Sequence, residues 1–309
     1  MLQRGRVRIW TVHYRAHNGV RRAAHVVLPA WYGPRRNPRI PLVISPHGRG
    51  LSGSANARLW GQLPARGGFA VVNPDGQGRL LPRHSWGYRG QIDDLARMPV
   101  IAERTLPWLR LDRRHVYAFG GSMGGQETLL LVAHYPRLLA GAAVFDAVTD
   151  FGLQYKRFRL LGCNARCRKN WIRGLGYGLR TLARREIGGA PKERPTAYRV
   201  RSPVTYSRAI AASCVPLQIW WSVADRIVTD QQRQSGKLFW LLRELNPYAP
   251  VQGFAGFWIH SAAMRASTGL PHALSAFGLL PQPEGPPHIP GFRVVPEPAE
   301  SPACTVGSG

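Results

Sequence analysis

Residues 120–125 read Gly-Gly-Ser-Met-Gly-Gly and sit between two different periodicities. Before them, Val116-Tyr117-Ala118-Phe119 is a short apolar run of the length and composition of a buried strand. After them, Thr128 to His134 begins a helix. A strand that turns into a helix over so few residues must turn sharply. Side chains two positions before and after Ser122 would meet the neighbouring strand and helix, which accounts for Gly120 and Gly124. Such a turn lifts the serine hydroxyl above the C-terminal edge of a sheet. It also aims the first amides of the new helix at any negative charge developing there. The competing reading is a glycine-rich turn that needs only flexibility. The strand and helix on its two sides favour a nucleophile.

The rest of the chain supplies a frame for that turn. Val7 to Tyr14 and Arg22 to Leu28 read as strands joined at His17-Asn18-Gly19, where Asn-Gly predicts a tight type I′ hairpin. Leu42 to Ser45, Phe69 to Val72, Ala140 to Phe145, Leu217 to Trp221 and Val251 to Phe257 are further strand candidates. Asn56 to Leu63, Ile92 to Leu109 and a segment ending at Leu245 read as helices. A hairpin followed by alternating strands and helices predicts an α/β chain, with a mostly parallel central sheet flanked by helices. The expected organisation is one domain over 1–280, with a basic cap inserted at about 151–214. Residues 281–309, rich in Pro and Gly, are expected to form a mobile or surface-draped tail.

A serine hydroxyl needs a base, and the base needs an orienting carboxylate. On this strand–turn–helix plan the order along the chain is serine, acid, histidine. The downstream histidines are His134, His260, His272 and His288. His134 is too near the serine in sequence to fold back onto it. His272 lies past the last expected strand and His288 in the tail. His260 follows the last strand directly and is the expected base. Asp225, a short turn after Leu217 to Trp221, is the expected acid; Asp146 and Asp150, after the preceding strand, are rivals. Asp230 reads as a helix cap. The tetrahedral intermediate needs two amide donors. Met123 supplies one, and Arg49, in His47-Gly48-Arg49-Gly50, the other. His47 is expected to brace that loop. Trp86, Tyr88 and Trp258 are candidates for lining a substrate pocket.

Composition narrows the alternatives. The 309 residues are 44% apolar and 10% aromatic, enough for a full core. No apolar run spans a bilayer, and no signal peptide is visible, although a leader could have been removed. The compartment is therefore left open between secreted and cytoplasmic, and the oligomeric state is unread. With 42 Lys and Arg against 16 Asp and Glu, the net charge is +26. That suits a polyanionic partner, but no nucleic-acid motif accompanies it, and no specific nucleic acid is expected. The four cysteines do not form a metal-binding pattern. Cys163 and Cys167 could close a small disulfide loop, Cys214 reads as core, and Cys304 lies in the tail.

Ser-Pro-His-Gly-Arg-Gly at 45–50, Phe-Gly-Gly-Ser-Met-Gly-Gly at 119–125, Asp225-Arg226-Ile227-Val228 and Gly-Phe-Trp-Ile-His at 256–260 together resemble one group of enzymes. It is the prolyl-oligopeptidase and dienelactone-hydrolase-like branch of the α/β-hydrolase superfamily, which includes feruloyl and other carboxylic ester hydrolases. The resemblance covers about 20–276. It implies Ser122 as nucleophile, Asp225 as acid, His260 as base, the Met123 and Arg49 amides as oxyanion hole, and no metal or organic cofactor. Two departures stand out. There is no room for the propeller of the large prolyl peptidases, and the turn before the acid, Ser222-Val223-Ala224, lacks the usual glycine. The expected activity is carboxylic ester hydrolysis. The alternatives are a serine peptidase with the same triad and a polyanion-binding protein on the same scaffold.

Overall fold

The computed structural model describes residues 6–161, 174–295 and 304. A nine-stranded sheet has the order β1-β2-β4-β3-β5-β6-β7-β8-β9. β1 (Val7–Arg15) and β2 (Arg21–Pro29) form an antiparallel hairpin, and β2 pairs antiparallel with β4 (Ala70–Pro74). From β4 the sheet runs parallel through β3 (Ile40–Ile44), β5 (Leu111–Gly121), β6 (Gly141–Phe145), β7 (Leu217–Ser222) and β8 (Val251–Gly256). The fold is α/β, as the alternation predicts. The hairpin turn differs in detail. Only Gly19 has a positive φ, 76°, and its N–H donates to the Ala16 carbonyl. A type I′ turn needs positive φ at both central residues, so one left-handed glycine closes a wider loop here.

Apolar runs in the middle strands follow from burial on both faces. Alternate residues of one strand serve opposite layers. Leu42 and Ile44 of β3, Val144 of β6 and Trp221 of β7 face one layer. That layer is covered by α3 (Arg89–Thr105), α4 (Met123–His134) and α9 (Ser235–Leu245) through Leu95, Met98, Leu129, Leu238 and Leu242. Val43, Ala143, Phe145 and Trp220 face the other. It is covered by α1 (Gly53–Leu59), α2 (Leu63–Gly67) and α10 (Leu270–Ala276).

The chain between β6 and β7 carries short helices: α5 (Phe151–Arg157), α6 (Leu175–Ile187), α7 (Pro195–Arg199) and α8 (Ser207–Ala212). Phe151, Tyr155, Leu179, Ile187 and Tyr198 form a third apolar cluster with Trp86 and Met123. This segment is therefore packed onto the residue that follows Ser122. A buried ion pair fastens it further. Arg201 Nη2 lies 3.3 Å from Glu186 Oε1, with the two side chains 6% and 0% exposed. The Glu186 carboxylate also accepts the Arg79, Leu80 and Leu81 N–H groups. Removing Glu186 would leave the Arg201 charge buried without its partner and the three backbone N–H groups without their acceptor. Glu186→Ala is expected to destabilise the protein by about 3–5 kcal/mol, read as a fall in the urea midpoint.

Other arginines of this basic stretch are also engaged internally. Arg157 pairs with Asp230 at 2.5 Å, Arg184 with Glu193 at 3.3 Å, and Arg180 lies over the Tyr155 ring at 4.6 Å. Asp230 reads from the sequence as the cap of the following helix. Its side chain makes no cap hydrogen bond and takes Arg157 instead.

Two further features lie where the sequence shows no periodicity. β9 (Arg293–Val295) adds an antiparallel edge strand to β8, so Val251–Gly256 is not the last strand. Cys214, which reads as core from the sequence, is bonded to Cys304, 90 residues later. The expected Cys163–Cys167 pair lies outside the described residues. No helix among the described residues is long and apolar enough to cross a membrane.

Behind the turn at Ser122, Glu127 of α4 is 1% exposed, with Ser85 Oγ donating to its carboxylate. Burial pushes its carboxyl up to about 8. Between the ordinary carboxylate range and about 8, the folded protein holds a proton that the unfolded chain has released. Stability therefore falls as pH rises through that window. Glu127→Gln is expected to flatten that slope, so thermal melts at pH 5 and pH 8 should differ less than in the wild type.

Candidate active site

The parallel strands deliver their C-terminal ends to one edge of the sheet, where open α/β sheets place their ligands. β3 leads there to the loop at His47, β5 to Ser122, β6 to Asp146, β7 to Asp225 and β8 to His260.

Ser122 has φ 58° and ψ −123°, a conformation unfavourable for a residue with a side chain. Packing holds it there. The Ser122 N–H donates to the Phe145 carbonyl at 2.8 Å, and the Gln126 N–H donates to the Ser122 carbonyl at 3.1 Å. The flanking glycines are obligatory. A Cβ on Gly120 would lie 2.3 Å from the Gly124 carbonyl oxygen, and one on Gly124 would lie 2.3 Å from that of Pro46. The second contact brings the loop after β3 against the turn. A Cβ on Gly48 would sit 4.0 Å from the Ser122 Cβ. His47, 1% exposed, stiffens that loop. The Gly76 N–H donates to its Nε2 at 2.8 Å, which leaves Nδ1–H to donate to the Gly48 carbonyl at 2.8 Å. Burial lowers its affinity for a second proton. Arg49 and Met123, the expected amide donors, thus lie on the two segments that meet at Gly48 and Ser122.

His260 Nδ1 lies 2.7 Å from Asp225 Oδ2. The other oxygen of Asp225 accepts the Ile227 and Val228 N–H groups at 2.7 and 3.0 Å. Asp225 is thus oriented by its own loop and leaves one oxygen for the imidazole. Of its rivals, Asp150 caps α5 by accepting the Leu153 N–H at 2.8 Å. Asp146 is close to the pair: one potential ligand atom from each of Asp146, Asp225 and His260 lies within 4.8 Å of the others. Every oxygen of the two carboxylates already accepts at least one N–H. That donor set suits a hydrogen-bonded relay better than a metal cage.

The aromatic candidates separate. Trp86, 2% exposed, belongs to the cluster containing Met123 and stacks on Phe151 at 5.5 Å. Tyr88 packs its ring against His17 and the Arg201 guanidinium. Trp258 is buried, and its indole N–H donates to Asp146 Oδ2 at 2.7 Å. Its neighbours Phe257 and Ile259 are the exposed ones, at 55% and 68%. Outward-facing residues on either side of an inward one are what strand-like alternation leaves at the end of β8.

This sheet order, with a strained serine after β5 and a carboxylate–histidine pair after β7 and β8, is the α/β-hydrolase fold, and the comparisons with solved structures agree. No protein-family model matches the sequence, and no curated protein matches it. The acylaminoacyl peptidase of Pyrococcus horikoshii superposes with a TM-score of 0.63 at 16% identity, over 90% of this chain and 42% of that one. An esterase from Rhizomucor miehei superposes with a TM-score of 0.61 at 12% identity, over 90% of this chain and 82% of that one. An esterase from Pyrococcus furiosus gives 0.57 at 13% identity, over 88% and 89%. The chain therefore spans less than half of the peptidase and most of each esterase.

Proposed function

We propose that the protein is a serine hydrolase that cleaves carboxylic esters through an acyl-enzyme on Ser122. The observation that carries this reading is the Asp225–His260 contact at the same sheet edge as a serine held at positive φ. His260 takes the Ser122 proton as the hydroxyl attacks the ester carbonyl. The amides of Met123 and Arg49 hold the oxyanion, and His260 returns the proton to the leaving alcohol. Water then attacks the acyl-enzyme by the reverse path. Asp225 keeps the proton on Nδ1, so that Nε2 is free to act, and stabilises the imidazolium.

Near full-length similarity to esterases, against less than half of the peptidase, favours esters over peptides. Trp86 and the segment between β6 and β7, a cap over Met123, are proposed to shape the acyl pocket. The net charge of +26 favours anionic acyl substrates. The Cys214–Cys304 bond supports an oxidising compartment.

The test is hydrolysis of short-chain nitrophenyl esters beside aminoacyl nitroanilides, with fluorophosphonate labelling of Ser122. Ester turnover with labelling supports the proposal. Faster turnover of the nitroanilides would favour the peptidase. Neither activity nor labelling would overturn both.

A further inference from the structure

We propose that Asp146 is a positioning residue of this site: one buried carboxylate that clasps the end of the acid strand and both flanks of His260. The proposal rests on the triad reading above.

The geometry is specific. Asp146 follows β6 directly, is fully buried, and sits at φ 49°. Its Oδ1 accepts the Ser222 N–H at 2.7 Å, at the end of β7, three residues before Asp225. Its Oδ2 accepts the Trp258 indole N–H and the Ser261 N–H, each at 2.7 Å. Those donors come from two residues before His260 and one after it. A second link runs parallel to the first: Ser222 Oγ donates to the Trp258 carbonyl at 2.6 Å and accepts the Trp258 N–H at 3.1 Å. The loops carrying acid and base are therefore fastened to each other and to the strand beside Ser122. Asp146 does not replace Asp225, because His260 Nδ1 is turned to Asp225.

The clasp needs an anion. Three N–H groups point at the two oxygens, and a neutral acid or amide would turn a donor toward one of them. Burial pushes the Asp146 carboxyl up to about 7, with the Asp225 charge adding to the rise and His260 opposing it.

Asp146→Asn and Trp258→Phe, assayed on nitrophenyl acetate with fluorophosphonate titration of competent sites, test this. Asp146→Asn is expected to lower kcat about 10- to 100-fold, the cost of a small misplacement, with KM within about threefold. Because the clasp needs the ionised carboxylate and burial raises that carboxyl to about 7, wild-type kcat/KM should fall more steeply below pH 7 than that of Asp146→Asn, where this position does not titrate. Trp258→Phe keeps the charge and the ring. It should lower kcat a few-fold and keep the wild-type steepness of the acid limb. Wild-type kcat in Asp146→Asn, or an acid limb as steep as that of the wild type, overturns the proposal while leaving the triad intact. If Asp146→Asn does not fold, an unchanged kcat in Trp258→Phe overturns it. A wild type that neither hydrolyses nor labels overturns the triad reading itself.

Discussion

Ser122→Ala is expected to reduce ester turnover on the order of 10⁶-fold and to abolish fluorophosphonate labelling, the scale seen when serine hydrolases lose their nucleophile. The substitution deletes one oxygen from a side chain whose backbone is held by Phe145, Gln126 and the glycine contacts, so the fold should survive. Thermal melting should change by no more than a few degrees. Some rate above water should persist, because the oxyanion amides and the pocket remain. His260→Ala in the same background should then cost little more, since the two residues act as one unit. A Ser122→Ala protein retaining more than a tenth of wild-type kcat would place the chemistry elsewhere.

The second large effect belongs to the acid. Asp225→Asn is expected to lower kcat about 10⁴-fold, as in serine proteases, with little change in KM. The direction follows from how the carboxylate is held. One oxygen accepts the Ile227 and Val228 N–H groups, so an amide there keeps its oxygen on that side. Its NH2 then faces His260 Nδ1 and takes the place of the acceptor. The imidazole must carry its proton on Nε2, and in that tautomer it cannot receive one from Ser122. Stopped-flow and steady-state kinetics on nitrophenyl acetate would check both kcat and KM. A loss confined to KM would contradict the role given to Asp225.

Much of this was legible in the sequence because it rests on local rules. Gly120 and Gly124 announce the turn since no other residue fits there, and strand order follows from alternating apolar runs. Asp225 and His260 emerge because each follows a strand that must end at the same edge. What escaped depends on partners far away in the chain. The part played by Asp146 is set by Ser222, Trp258 and Ser261, and no spacing near Asp146 encodes it. Trp258 reads as a pocket aromatic until its indole is seen to be taken. The strand Arg293–Val295 has no periodicity over three residues, and only β8 beside it defines it. The Cys214–Cys304 pairing joins two segments whose proximity depends on the whole sheet.

That last bond divides the site topologically. Asp225 and His260 both lie inside the covalent ring closed between residues 214 and 304, and Ser122 lies outside it. A pulling force applied at the chain ends travels through the bridge and bypasses the ring. Two of the three proposed triad residues are thus mechanically shielded. With the bridge intact, stretching would release about 300 Å less chain than after reduction, judged from the reach of about 90 extended residues.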